Sequence, residues 1–363
     1  MRQAHAAYRE VAKQLQVPYK AGTQGIVSTA GGAYLPIFIV SLRMLRRTGC
    51  TLPVELFLIS EEEHGPYLCE TLLPSLNAHC VYLSTPLGVK ASTVSKYQLK
   101  IFSILFSSFE SLLFLDADNF PVMDPTSLFQ GERFQSTGLV TWPDFWASSA
   151  SPHLFAIQST PILAMNALPS TESGQVLVNK RRHAQTLLLT AYYNFYGPDF
   201  YYPLLSQGGF GEGDKETFLA AAQAVNAPFY QVKKCVDTIG YYEGERYHGV
   251  AMLQYDPGHE SEAKPVPFAV HHNYPKLDPV QLFDEKDGAA IDHVKGGYHR
   301  LLGSKEKTLE RFGRDVEREI WEEVEVVACE LGNKFRHWKV LETVGEQTGT
   351  CNRVRAYREA VFS

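Results

Sequence analysis

The sequence has no basic surplus. Its 363 residues carry a net charge of −6, and without a basic face a chain is a poor partner for nucleic acid. It has no apolar run long enough to span a bilayer as a helix. The two longest, Leu35–Leu45 and Ile101–Leu115, are broken by Arg43 and by Ser107, Ser108 and Glu110. The first sixteen residues contain Arg2, Arg9, Glu10 and Lys13 but no apolar h-region, so they do not read as a secretory signal. Cysteine is sparse. Cys50, Cys69, Cys80, Cys235, Cys329 and Cys351 show no C-x-x-C spacing, which argues against a zinc site, and an even count fits disulfides and buried thiols alike. There is no Asn-x-Ser/Thr acceptor, no G-x-G-x-x-G and no P-loop, so glycosylation, dinucleotide and Walker signatures are all missing. No repeat and no low-complexity tract occurs.

What is present centres on Leu112-Leu113-Phe114-Leu115-Asp116-Ala117-Asp118-Asn119. Four large apolar residues read as a strand buried on both faces. The acids then fall at its carboxyl end, where open α/β sheets bind ligands. Residues i and i+2 of an extended chain face the same side, so Asp116 and Asp118 can reach one ion. Two carboxylates aimed at one point repel unless a cation lies between them, and hard oxygen ligands suit Mn²⁺ or Mg²⁺. The competing structural reading is an Asp capping the next helix or turn.

Upstream, Gly25-Ile26-Val27 reads as a first strand. A Gly31-Gly32 turn follows, then a helix with Tyr34, Phe38, Leu42 and Leu45 on one stripe. Val54–Ile59 and Cys80–Leu83 are strands, 66–77 is a helix, and so is Ser95–Ser108, carrying Lys96 and Lys100 four residues apart. The alternation predicts an α/β, Rossmann-like, mostly parallel sheet flanked by helices. Lys96 and Lys100 are either solvated charges or a diphosphate contact. Downstream, Trp142 and Trp146 either close a core or stack on sugar. Glu172-Ser173-Gly174-Gln175 reads as a polar turn entering a strand that ends at Asn179, with a helix over Lys180–Phe195. The glycines before Asp214 allow close approach of backbone to a ligand, and Asp214 itself can be the N-cap of a helix over Lys215–Val225. Val266–Val270 reads as a strand ending in His271, His272 and Lys276. Neighbours on a strand face opposite ways, so only one of the two histidines should face the site. Lys305 to about Leu331 reads as one charged amphipathic helix.

Ser95–Lys100, Ser107-Ser108-Phe109-Glu110, Leu113–Asn119, Glu172–Gln175 and Gly213–Phe218, in that order, resemble the fungal Golgi α-mannosyltransferases that extend mannan and N-glycan outer chains. The resemblance covers roughly residues 22 to 285. It implies a GT-A glycosyltransferase domain over 22–290, with 291–363 as a C-terminal helical extension. It also implies a retaining enzyme that moves mannose from GDP-mannose to a mannosylated glycan acceptor, in α-1,2 or α-1,3 linkage, with Mn²⁺ and with Mg²⁺ as the alternative. On this resemblance Asp116 and Asp118 hold the metal and Lys96 or Lys100 meets the donor. Glu172, Ser173 and Gly174 line the sugar, and Asp214 sits at the reacting centre, with Glu216 as its substitute. By similarity to retaining GT-A enzymes at large, His271 or His272 completes the metal site and Lys276 meets phosphate. The family implies a Golgi-lumenal, type II membrane protein, whereas this sequence shows no anchor. A related transferase using a UDP-sugar and a non-catalytic glycan-binding relative are the alternatives.

Overall fold

The structure is a computed structural model that describes residues 1–61, 66–88, 94, 97–162, 168–209, 211, 213–335 and 349–363. Lys96, one of the two lysines expected at the donor, lies outside the described residues. After an N-terminal helix α1 (Arg2–Ala12), the expected alternation appears as β1 (Lys20–Thr29), α2 (Tyr34–Arg47), β2 (Val54–Leu58), β3 (Ala78–Tyr82), the helix Gln98–Phe106 and β4 (Phe109–Leu115). Then come a short β5 (Asn119–Pro121), β6 (Leu139–Ala147), β7 (Pro169–Asn179), the helix Ala184–Phe195, the helix Thr217–Ala224 and β8 (Tyr230–Gln231). β9 (Asp237–Glu243), β10 (Arg246–Tyr255) and β11 (Pro267–His271) complete the strands.

Seven strands form the main sheet in the order β3-β2-β1-β4-β7-β6-β8. Only β7 runs against the others: it is antiparallel to β4 and β6, while β1, β2, β3 and β4 pair in parallel and β8 runs parallel to β6. The mostly parallel α/β expectation therefore holds. β4 is buried along its whole length, which is why it reads as an unbroken apolar run rather than an alternating one. A second antiparallel sheet, β5-β11-β10-β9, grows directly from the acidic stretch. Asn119 of β5 pairs with His271 of β11. That one pairing brings two strand ends, 152 positions apart in the chain, to the same place.

Two segments differ from expectation. Glu172-Ser173-Gly174 is no turn; it lies inside β7, because β4 and β6 flank it and take up its backbone groups, with Leu115 opposite Gln175 and Trp142 opposite Glu172. The long charged helix is two helices, Lys305–Phe312 and Val316–Val326. Gly313 at φ +70° closes the first in the left-handed conformation that glycine tolerates, and the Asp315 carboxylate caps the second by accepting from the Arg318 amide. The second of these helices packs on α2. Arg43 and Arg47 pair with Glu323 at 2.5 and 2.9 Å, and Trp321 and Tyr357 belong to the same apolar core as Ile39 and Leu113. Cys69 pairs with Cys80 and Cys329 with Cys351, leaving Cys50 buried and Cys235 exposed as free thiols.

Candidate active site

A cleft of about 950 Å³ opens at the carboxyl ends of β1, β2 and β4, within the usual size of a ligand pocket. Asp116 and Asp118 line it where β4 ends, and His271 lines it where β11 ends. One ligand atom from each of the three lies within 4.8 Å of the others. Asp118 Oδ1 is 3.2 Å from His271 Nε2, and Glu172 Oε1 is 3.2 Å from Nδ1 of the same ring. A carboxylate on the far nitrogen is how proteins orient a metal-binding imidazole, so two oxygens and one supported imidazole nitrogen fit a divalent cation.

Gly174 has a role other than lining the sugar. It is not among the residues that line the cleft; a Cβ there would come 2.6 Å from His271 Nδ1 and 2.7 Å from Glu172 Oε1. Its amide donates to Glu172 at 2.6 Å, and its carbonyl accepts from the Asp116 amide at 2.8 Å. Glycine at this position lets the histidine close onto the acids.

Of the two histidines, one of which was expected to face the site, His271 does and His272 does not. Strand alternation turns it away from the acid pair, and its Nδ1 lies 2.7 Å from the Pro275 carbonyl. Lys100 is also not a free phosphate contact. Its ammonium donates to the Ser173 carbonyl and hydroxyl at 2.7 and 2.9 Å, and lies 3.2 Å from both Asp116 and Asp214. Lys276 pairs with Asp118 and sits 5.7 Å over the Tyr34 ring. Asp214 is no helix cap. The next helix starts at Thr217 with no side-chain cap, while the Asp214 carboxylate accepts from Ser173 Oγ at 3.1 Å and lines the cleft. Glu216 does not line the cleft. It is buried against the Ser170 hydroxyl and the Thr171 amide at the start of β7, so the turn before Thr217 sends the two carboxylates to different places.

The charges are strongly coupled. Burial raises Asp116 to about 6, with Lys100 and His271 opposing and Asp118 and Asp214 adding to the rise. Burial also works against the charge on Asp118, yet His271 and Lys276 hold it well below the usual carboxylate range. Burial lowers His271, but Asp118 and Glu172 overcome this and bring it up to about 10. Burial likewise opposes the Lys100 charge, and Asp116, Asp214 and Glu172 outweigh it, leaving its pKa raised. Acid groups thus face one another around bound cationic side chains, the condition that a metal ion relieves.

Sequence reasoning missed Asn119 and Gln175. Asn119 Nδ2 donates to the Gly174 carbonyl at 2.9 Å and to Gln175 Oε1, and Gln175 donates on to Glu172. Asn119 directly follows Asp118 and Gln175 lies three residues after Glu172, which was the available signal. It also missed the Asp144–Lys215 ion pair at 2.6 Å, which nothing in the spacing announces. Of the two tryptophans left open, Trp142 is core, stacked on Phe268 with its indole donating to the Tyr255 carbonyl at 2.8 Å. Trp146 is 49% exposed at the cleft.

Sheet and cluster together define an α/β protein with a metal-type Asp–Asp–His centre at its strand ends. The chain belongs to a mannosyltransferase family: the family model described as “Mannosyltransferase putative” matches residues 23–167 and 162–256. Among curated relatives, alpha-1,2-mannosyltransferase MNN21 of Candida albicans is 34% identical over 84% of this chain and 57% of its own. Alpha-1,2-mannosyltransferase MNN2 of Saccharomyces cerevisiae is 36% identical over 64% of this chain and 45% of its own. The chain thus spans about half the length of these relatives. Among solved structures, the glycosyltransferase GlyE of Streptococcus pneumoniae superimposes with a TM-score of 0.38 at 17% identity, over 59% of this chain and 46% of its own. The galactosyltransferase LgtC also gives 0.38, at 10% identity, over 57% and 73%. No described helix is long and apolar enough to cross a membrane.

Proposed function

We propose that residues 22–290 form a GT-A catalytic unit, with 291–363 packed on it as an extension. The unit moves mannose from GDP-mannose to an α-mannoside acceptor with retention, in the Golgi lumen, during glycan or mannan synthesis. The observation that carries this is the Asp116–Asp118–His271 cluster in a chain whose curated relatives are named alpha-1,2-mannosyltransferases; α-1,2 is accordingly the linkage proposed here. Mn²⁺ suits two carboxylates and an imidazole, and when bound it offsets charge developing on the leaving diphosphate.

The chain's own residues account for the rest. Lys276, near the cluster and over Tyr34, places a cation where a phosphate oxygen would lie. Asp214, held by Lys100 and Ser173, faces the sugar. The bond from the sugar to the diphosphate breaks, the bond to an acceptor hydroxyl forms on the same face, and the acceptor proton leaves with the diphosphate or to solvent. Asp214 stabilises the positive charge on the ring during that exchange or attacks it directly. The test is incubation with GDP-mannose, Mn²⁺ and an α-mannoside, with linkage analysis of the product. An α-1,2-linked mannoside is expected. Turnover only with a UDP-sugar, or with no donor in a full sugar-nucleotide panel, would replace this reading.

A further inference from the structure

We propose that Phe145 and Trp146, at the carboxyl end of β6, form the platform on which a pyranose ring of the acceptor stacks, and that Asp144 locks this platform to the turn carrying Asp214. The proposal deepens the mannosyltransferase reading and rests on it for the identity of the ring.

The cleft has two unlike walls. One is built from the ends of the parallel strands β1 and β2, at Thr29 and Phe57, where open α/β sheets take nucleotides. The acid cluster at the end of β4 then claims the diphosphate, which leaves the donor sugar over Ser173 and Asp214. The remaining wall is the end of β6, beyond reversed β7. There the chain places two consecutive aromatics in the cleft lining, with Phe145 46% and Trp146 49% exposed. A pyranose has an apolar C–H face and a polar rim. An indole offers a flat apolar surface with a polar N–H at its edge, so it covers the sugar face while leaving the hydroxyls wet.

The platform is anchored. One oxygen of Asp144 accepts from the Phe145 amide at 2.7 Å, and the other accepts from Lys215 Nζ at 2.6 Å. The Asp144 and Lys215 side chains are only 12% and 11% exposed, so the pair is well shielded from water and strongly directional. Lys215 follows Asp214 in the chain. The loop leaving β6 is tied as well, since the Ser149 hydroxyl donates to the Ser206 carbonyl at 2.7 Å and Gln207 donates to the Ser149 carbonyl at 2.6 Å. A ring seated on Trp146 is therefore held at a set distance from the carboxylate at the reacting carbon, which is what positioning of an acceptor requires. Asp144 is a positioning residue here, acting through the Phe145 amide and Lys215.

The experiment is acceptor kinetics at saturating GDP-mannose and Mn²⁺, with α-linked mannobiose as acceptor. Trp146→Ala should raise the acceptor KM about tenfold, the loss of one stacked ring contact, while Kd for GDP-mannose stays unchanged. Trp146→Phe should recover most of the loss. Asp144→Asn should raise KM and lower kcat together, because it frees both the platform and the Asp214 turn. An unchanged acceptor KM in both Trp146→Ala and Phe145→Ala overturns the proposal. So does a loss of GDP affinity in Trp146→Ala, which would make the platform a nucleobase shelf. A second measurement separates this proposal from the reading beneath it: titration of mannobiose into the unmodified protein, followed at the Trp146 indole N–H by NMR. A shifted indole in a protein that turns over no donor keeps the platform and removes the transferase. An unshifted indole removes the platform whatever the turnover.

Discussion

Both ends of β4 bury polar groups, and they use them in opposite ways. At the amino end, every charge is met by backbone or by a matching partner. The Glu55 carboxylate accepts from the Ser108 hydroxyl at 2.5 Å, Glu110 accepts from the Gly22 amide at 2.7 Å, and Lys180 donates to the carbonyls of Pro18, Leu105 and Ser107 at 2.6, 2.8 and 2.7 Å. At the carboxyl end Asp116, Asp118, Asp214 and Glu172 crowd around Lys100, His271 and Lys276. Burial alone does not mark a functional site. What marks it is a set of like charges with more acid than the local backbone can satisfy.

The two lysines make the contrast concrete. Lys180 and Lys100 are both buried, at 0% and 6% exposure. Burial pushes Lys180 down to about 7, yet only a protonated amine has the three N–H groups that its three carbonyls use. Lys100 faces carboxylates instead and is raised. One lysine holds chain segments together, and the other holds two acids in position.

The sharpest way to break the contrast is at the acid end. Asp116→Asn and Asp118→Asn should each cut mannosyl transfer by about a thousandfold or more, since the charge on the leaving diphosphate then goes unopposed. EDTA should reproduce the loss and Mn²⁺ reverse it in the unmodified protein. Activity that survives exhaustive chelation would remove the metal from the site. Next in size is Asp214→Asn. The variant keeps the hydrogen bond from Ser173 and its place in the turn, so donor affinity and melting temperature should hold while transfer falls about 10²–10⁴-fold. A nearly normal rate would return Asp214 to a structural role.

At the amino end the expected effect is on folding. Lys180→Met fills similar space but leaves three carbonyls without their donor, at a cost of about 3 kcal/mol or more. Denaturant titration should show that loss, while kcat of the folded variant stays near the unmodified value. A large kcat loss with unchanged stability would invert the assignment of the two ends.

How far the chain was legible follows the same division. β4 with Asp116 and Asp118 was readable because an apolar run meeting two acids is a local pattern. The choice between His271 and His272 was half readable: alternation says that one faces the site, and only the pairing of Asn119 with His271 says which. Glu172 to Gly174 looked like a turn because its polar residues are satisfied across the sheet by strands distant in sequence. Asp214 was preferred to Glu216 on the resemblance alone, since the direction of each side chain depends on where the helix begins, and it begins at Thr217 rather than Lys215. Trp142 and Trp146 have the same local composition, and their fates are set by tertiary placement alone.

The smallest expected effect lies where α1 docks on the helix Ala184–Phe195. His5 is 1% exposed; its Nε2 lies 2.8 Å from the Tyr193 hydroxyl and its ring stacks on that tyrosine. Burial, with Arg9 adding to it, lowers the imidazole from 6.5 to about 4. The folded state therefore prefers the neutral ring, while the undocked helix takes up a proton near 6.5. Between these two values the undocked state binds more protons, so docking is strongest above pH 6.5 and weakens as pH falls towards 4. Over the range from pH 7 to pH 5 this amounts to about 2 kcal/mol. His5→Gln keeps a hydrogen-bonding group near Tyr193 and removes the titration. Its melting temperature should fall less than that of the unmodified protein between pH 7 and pH 5, with transfer at pH 7 unaltered in both. Equal acid sensitivity in the two proteins would place the titrating group elsewhere. A lowered transfer rate in His5→Gln at pH 7 would show that this side of the sheet is coupled to the acids after all, and the contrast between the two ends would no longer hold.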